Sequence, residues 1–214
     1  ITNEDDLHAN YSIDHYDKSD YQQLRHLATR DYSNVQNTFR LLYSHSFGET
    51  ATLTAGADYM HDYLYNTYLS GDAREQDCYD VFAQYDWNIT DKLEAVAAVR
   101  YDYFSDRQNS QFTPKLNLRY KPNRRLVLRA GYGMGFRAPS LKERYYNFDM
   151  AGIWIVEGNE HLKAEKSHNF TLSAEYSRAN CSLAVSAFYN NVINKISTSA
   201  PNFKSIEDKL QYLP

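Results

Sequence analysis

The groups of this 214-residue chain that could do chemistry are seven His, two Cys and an excess of carboxylates, with 27 Asp+Glu against 23 Lys+Arg. Their spacing argues against most of it. Cys78 and Cys181 stand far apart, with no Cys-x-x-Cys and no Cys/His ligand spacing, so a structural metal centre is not expected. No Ser/His/Asp constellation, HExxH helix or glycine-rich phosphate loop is present, so an enzyme is not expected either, nor a resident cofactor. Asp14, Asp17 and Asp20 offer the hard oxygens Ca²⁺ takes, but three scattered carboxylates in a polar stretch are ordinarily solvated. The densest set of recognition-type side chains is Arg144, Tyr145, Tyr146, Phe148, Trp154 and His161, with His26 in an earlier polar stretch. These could hold a ligand, and they could equally pack a long loop against itself. With no basic run and a net charge of −4, nucleic acid is excluded as a partner.

The elements that must position these groups show a persistent period of two. Val35, Phe39, Leu41, Tyr43 and Phe47 alternate with Gln36, Thr38, Arg40 and Ser44; Leu53, Ala55, Ala57 and Tyr59 follow after Gly48. Tyr79, Val81, Ala83, Tyr85 and Trp87, then Leu93, Ala95, Ala97, Val99 and Tyr101, continue the pattern. Phe112 to Tyr120, Leu126 to Met134, Phe170 to Tyr176 and Leu183 to Tyr189 repeat it, and a weaker strand from Leu7 to His15 opens the chain. The reading is all-β, with about nine strands, each apolar on one face and polar on the other.

Tight turns are expected near 48–49, 90–92, 121–124 and 178–180, and long polar connections near 16–34, 67–77, 104–111 and 136–167. Strict short/long alternation in an antiparallel up-and-down meander is the pattern of a large transmembrane β-barrel, with short turns on one side and long loops on the other. The faces agree. Aromatics gather near strand ends, as in interfacial girdles, and Tyr is the commonest of them, with 20 residues. The opposite face carries Arg40, Asp58, Asp80, Asp86, Glu94, Arg100, Asp102, Lys115, Arg119, Arg129 and Glu175. So many charges suit a wet or plugged lumen and would destabilise the interior of a β-sandwich binding domain, which is the soluble alternative. A passive porin or an adhesive barrel is the membrane alternative.

The longest connection opens with Gly131, Gly133, Gly135, Phe136, Arg137, Ala138 and Pro139 and closes with Gly158, Asn159, Leu162 and Glu165. This pair of boxes resembles the signature of TonB-dependent outer-membrane receptors. In that family a glycine-rich strand runs into an Arg-Ala-Pro box, and a Gly-Asn box re-enters the next strand after an external loop. Two prolines of the second box are replaced here, by Glu160 and Ala164. Locally, the glycines clear the lumen face, Pro139 ends the ladder for want of a donor, and Gly158-Asn159 is a turn. The boxes are therefore expected to position the loop rather than to touch ligand.

The resemblance implies that residues 1–214 are part of a larger barrel domain in the outer membrane of a Gram-negative bacterium. The plug, the N-terminal segment that engages the TonB complex and the C-terminal strands would lie outside these residues. It further implies the lipid bilayer as surroundings and import of a scarce large nutrient such as haem, a cobalamin or a ferric siderophore. Arg144, Tyr145, Tyr146, Trp154, His161 and His26 are the loop residues placed to meet it. In such a meander Cys78 lies near a loop end and Cys181 at a tight turn, more than about 30 Å apart for strands rising about 3.3 Å per residue. A disulfide needs Cα atoms within about 7 Å, so two free thiols are expected.

Overall fold

The computed structural model describes residues 4–69, 71, 73–105, 109–150 and 154–198. Its main element is a sheet of nine strands in chain order, every neighbouring pair antiparallel. The strands are β1 (Asp5–Gln22), β2 (Leu27–Phe47), β3 (Ala51–Asn66), β4 (Ala73–Thr90), β5 (Leu93–Phe104), β6 (Gln111–Asn123), β7 (Leu126–Arg137), β10 (Glu165–Arg178) and β11 (Cys181–Ile193). Between β7 and β10 lie a short helix α1 (Leu141–Tyr145) and a small hairpin of β8 (Asn147–Met150) and β9 (Trp154–Glu157).

The short turns are closed by their own polar side chains. Gly48 takes φ +61° between β2 and β3, where an L side chain would be strained. Thr90 Oγ1 accepts from the Lys92 and Leu93 amides before β5, and Asn123 Oδ1 accepts from the Arg125 and Leu126 amides before β7. These Asx- and Thr-type turns supply acceptors to amides leaving the ladder.

Register sorts the side chains as the alternation requires. Tyr11, Phe39, Tyr59, Tyr79 and Tyr103 are successive cross-strand partners on the outward face, an aromatic row over five strands. Phe47, Tyr85 and Trp87 form a second aromatic group by the short turns, at centroid spacings of 6.3 Å. Between the two groups the outward face is apolar, and across β5–β11 it includes a shallow hollow of 490 Å³ lined by Leu93, Leu118, Leu128 and Leu172 among others. The inward face carries charges in pairs: Arg119 with Glu94, and Arg129 with Glu175 at 3.1 Å.

Two features depart from expectation. The segment near 16–34 is not a long loop, because β1 and β2 stay paired up to Gln22 and Leu27 with only a four-residue turn between them. Similarly, β4 starts at Ala73 rather than at Tyr79. β2 has 21 residues, about 70 Å at 3.4 Å each, whereas a tilted membrane strand needs about 9–11. The outer halves are polar on both faces, so they carry no hydrophobic period by which sequence reading could find them. Cys78, buried, and Cys181, exposed, are both free, as expected.

Candidate functional site

The two sequence boxes meet at the base of the loop between β7 and β10. Arg137, the last residue of β7, stands opposite Glu165, the first of β10, and its Nε donates to Glu165 Oε2 at 2.9 Å. Arg137 Nη1 donates to both oxygens of Glu143 at 3.0 Å. Glu143 belongs to a capping box: its Oε2 accepts from the Ser140 amide at 2.8 Å, and its own amide donates to Ser140 Oγ at 3.2 Å. Arg137, with the Ile196 amide also donating, holds the Glu165 carboxyl down to about 2. Burial works against ionisation of Glu143, but Arg137 and Ser140 outweigh it and leave its pKa below the ordinary value. The carboxylates in turn raise the Arg137 guanidinium. The strand end and the helix are thus tied by charge-assisted bonds.

The second box fastens the far side. Gly158 N donates to Tyr146 O at 2.6 Å, and Asn159 N to Glu143 O at 3.0 Å. A Cβ on Gly158 would sit 2.7 Å from the Arg144 carbonyl carbon, so only glycine lets these backbones cross. Asn159 Oδ1 accepts from the His161 amide, and Asn159 O from the Leu162 amide. Pro139 is fully buried. Phe136 meets Phe104 at 6.0 Å, Ala138 joins β7 to Pro139, and Ser167 crowds the position a Gly135 Cβ would take. At Gly131, Thr171 and Asn117 side chains from the flanking strands use the cleared space. The motif residues therefore build the loop base, as their local chemistry implied.

From this base the loop folds back across the sheet. Leu141 packs with Leu64 and Leu69, each 3–4% exposed, ringed by Tyr32, Tyr145 and Tyr146. Leu69 bridges Tyr146, and Asn147 N donates to Tyr68 O at 2.6 Å. The Arg74 guanidinium lies 4.6 Å above the Tyr145 ring, and buried Arg144 lies 5.1 Å from the same ring.

Beside this small core is a cavity of 340 Å³ lined by Tyr16, Lys18, Asp31, Tyr32, Asn66, Tyr68, Lys142 and Tyr146. Lys142 Nζ is 4.4 Å from the Tyr32 ring centroid. Four phenols and two ammonium groups face one carboxyl there, and burial, followed by the neighbouring Asp20, raises the pKa of that Asp31 carboxyl. Such a lining offers stacking faces, phenolic donors and positive charge, which suits an anionic ligand with flat arms.

Of the residues expected to meet ligand, Tyr146 lines this cavity, while Arg144 and Tyr145 serve the loop core. His161 is exposed at the second box. His26 sits at the tip of the β1–β2 turn with φ +49°, 3.2 Å from Tyr21 Oη. Trp154 opens β9 opposite Met150, and its side chain lies outside the described residues. Asp17 is claimed by Arg30, at 2.6 Å, and Asp20 faces Lys18 at 3.6 Å, so the acidic trio is dispersed. Tyr16, Lys18, Tyr32, Asn66, Tyr68 and Lys142 escape a reading by sequence. They come from four separate segments, and their joint signal is only the high Tyr content.

A sequential antiparallel wall, apolar outside and charged inside, with its longest loop folded onto the inner side, defines a section of a large β-barrel of the outer-membrane type. The chain belongs to the family described as TonB dependent receptor-like, beta-barrel, whose profile matches residues 2–207. Among curated relatives, the ferrienterobactin receptor of Escherichia coli K12 is 28% identical over 128 residues, which is 55% of this chain and 17% of the relative. The ferric enterobactin receptor of Pseudomonas aeruginosa is 25% identical over 130 residues, 56% of this chain and 17% of that protein. The crystal structure of the siderophore receptor PirA from Acinetobacter baumannii superposes with TM-score 0.67 at 18% identity, covering 89% of this chain and 32% of the other. The chain thus spans less than a fifth of these curated relatives and about a third of the solved one.

Proposed function

We propose that this chain is one barrel section of an outer-membrane receptor that imports a ferric siderophore by TonB-coupled transport. The 340 Å³ cavity carries the reading: Lys18 and Lys142 among four tyrosines suit an anionic ferric chelate with aromatic arms. The similar proteins, which are ferric enterobactin and siderophore receptors, support a siderophore over haem or a cobalamin. In this reading the protein captures and transports its ligand and performs no catalysis on it. Residues 1–214 form a partial barrel domain, and the plug and the TonB-engaging segment belong to other parts of the polypeptide. The outward apolar face with its aromatic groups contacts lipid in a Gram-negative outer membrane. Of the loop residues, Tyr146 touches ligand, and Trp154 in β9, His161 at the second box and His26 at the tip of the β1–β2 turn are the further candidates.

The test is ligand binding by the intact polypeptide in detergent, read by quenching of its Tyr and Trp fluorescence. Ferric enterobactin is expected to bind, and Lys18→Ala with Lys142→Ala to weaken it by at least about tenfold, since each charged contact contributes on the order of 1 kcal/mol or more. Haem and cyanocobalamin are expected not to compete. Equal affinity in the double variant would remove the cavity from the ligand path, and displacement by haem would change the ligand class.

A further inference from the structure

The inner wall of β3–β5 holds a second polar cluster that the loop cavity does not use. Asp58, Asp80 and Asp102 are successive cross-strand partners, each 6–8% exposed, and Cys78, 5% exposed, lies on the same face one inward step above Asp80. Arg40 closes on Asp58 with two bonds of 2.8 and 2.6 Å. Arg100 is shared, with Nη2 2.8 Å from Asp80 Oδ2 and Nε 2.9 Å from Asp102 Oδ1, and it reaches Asp58 only at 3.7 Å. Two arginines therefore face three carboxylates, and the surplus negative charge belongs to the Asp80–Asp102 pair.

We propose that Cys78, Asp80 and Asp102 bind a borderline-soft divalent cation of the Zn²⁺ class. One potential ligand atom from each lies within 4.8 Å of the others. Metal–ligand lengths of about 2.0–2.3 Å place tetrahedral ligand atoms about 3.3–3.8 Å apart, so side-chain shifts of at most about 1.5 Å close the set. Asp80 Oδ1 is buried and has no hydrogen-bond partner among the described residues, although its carboxylate is otherwise held by Arg100. A buried carboxylate oxygen without a partner is costly and points to an occupant. The charges choose the valence. On binding, the Cys78 thiol gives its proton to solvent, and one thiolate, two carboxylates, one guanidinium and one divalent cation sum to zero. A thiolate with two carboxylates matches zinc-type rather than magnesium-type preference.

The test uses the intact, untagged polypeptide in detergent on a Cys181→Ser background, titrated with Co²⁺ as a spectroscopic probe. A thiolate-to-cobalt charge-transfer band is expected, displaced by Zn²⁺ and absent in Cys78→Ser. Asp80→Asn and Asp102→Asn are expected to weaken cobalt binding at least about tenfold, with thermal melts confirming that each variant folds. Independently, Zn²⁺ is expected to slow conversion of Cys78 to its methyl disulfide by methyl methanethiosulfonate, which transfers SCH3 to the thiolate and releases methanesulfinate. A folded protein that gives no band, a band that survives Cys78→Ser, or disulfide formation at Cys78 indifferent to Zn²⁺ overturns the proposal.

Discussion

Truncating Leu141 to Ala tests whether the loop is docked by its small core or merely tethered at its base. α1 has five residues, far too few to persist alone in water, so its folding depends on what Leu141 buries. Leu141 is 3% exposed against Leu64 at 3% and Leu69 at 4%, under Tyr32, Tyr145 and Tyr146. Buried Leu→Ala changes cost about 2.7–5 kcal/mol, with the larger values where the site cannot collapse. Here the cluster is small and borders a cavity, so the lower end applies, about 3 kcal/mol. That raises the loop-opening constant about 150-fold, because 1.36 kcal/mol is one factor of ten. Hydrogen exchange read by mass spectrometry on the intact protein in detergent should show amides of 141–147 and 154–159 exchanging faster by about that factor. The ladder of β3–β5 should be unchanged. Leu64→Ala should reproduce the effect from the other side of the contact, whereas Leu172→Ala, on the exposed outward face, should not. A change under about fivefold in the loop, or equal loss of protection in the strands, would refute the idea that this core holds the loop as a separate unit.

Gly158→Ala should loosen the same loop by about 1–3 kcal/mol, since a new Cβ lands on the Arg144 backbone, and protease cleavage between β9 and β10 should accelerate. If it does not, the crossing relaxes freely. The loop base should also resist acid. Glu165 titrates at about 2 when folded against an ordinary 4.5, so its stabilising effect is full above pH 4.5 and is lost as pH falls through about 2. Loop exchange, corrected for its intrinsic pH dependence, should therefore rise only below pH 4.5, and Arg137→Ala should abolish that dependence. A loop that opens between pH 5 and 6 would contradict the assignment. Maleimide, bulkier than a methylthio reagent, should label Cys181 rapidly and buried Cys78 far more slowly; fast labelling of both would show that β4 opens at its buried face.

The parts of this architecture legible in the sequence are those where an apolar medium enforces a period. Leu53 to Tyr59 and Tyr79 to Trp87 alternate because one face is apolar and the other polar, and the register bears them out. Tyr16 to Gln22 and Leu27 to Asn34 are paired strands too, with one register shift at Lys18–Ser19, yet they are largely polar on both sides and read as a loop. The two boxes were legible as a pair, but their physical link, Arg137 to Glu143 and Glu165, needs three dimensions, because Glu143 lies in neither box. The cavity was least legible. Lys18, Tyr32, Asn66 and Lys142 share no spacing, and only the return of the loop across the sheet brings them together.

That return sets an order of assembly. Leu141 belongs to the connection after β7, but its partners Leu64 and Leu69 end β3 and begin the connection after it, and hairpins β3–β4, β4–β5, β5–β6 and β6–β7 lie between them in the chain. Each hairpin closes a short loop of chain, whereas the Leu141–Leu64 contact closes one long loop, costing about 2 kcal/mol more in closure entropy until those pairings exist. The loop therefore docks as the last step in this part of the wall and is the first to release. Its state reports whether five strands are in register, since a one-residue slip anywhere between β3 and β7 would turn Leu64 outward and leave Leu141 without a seat.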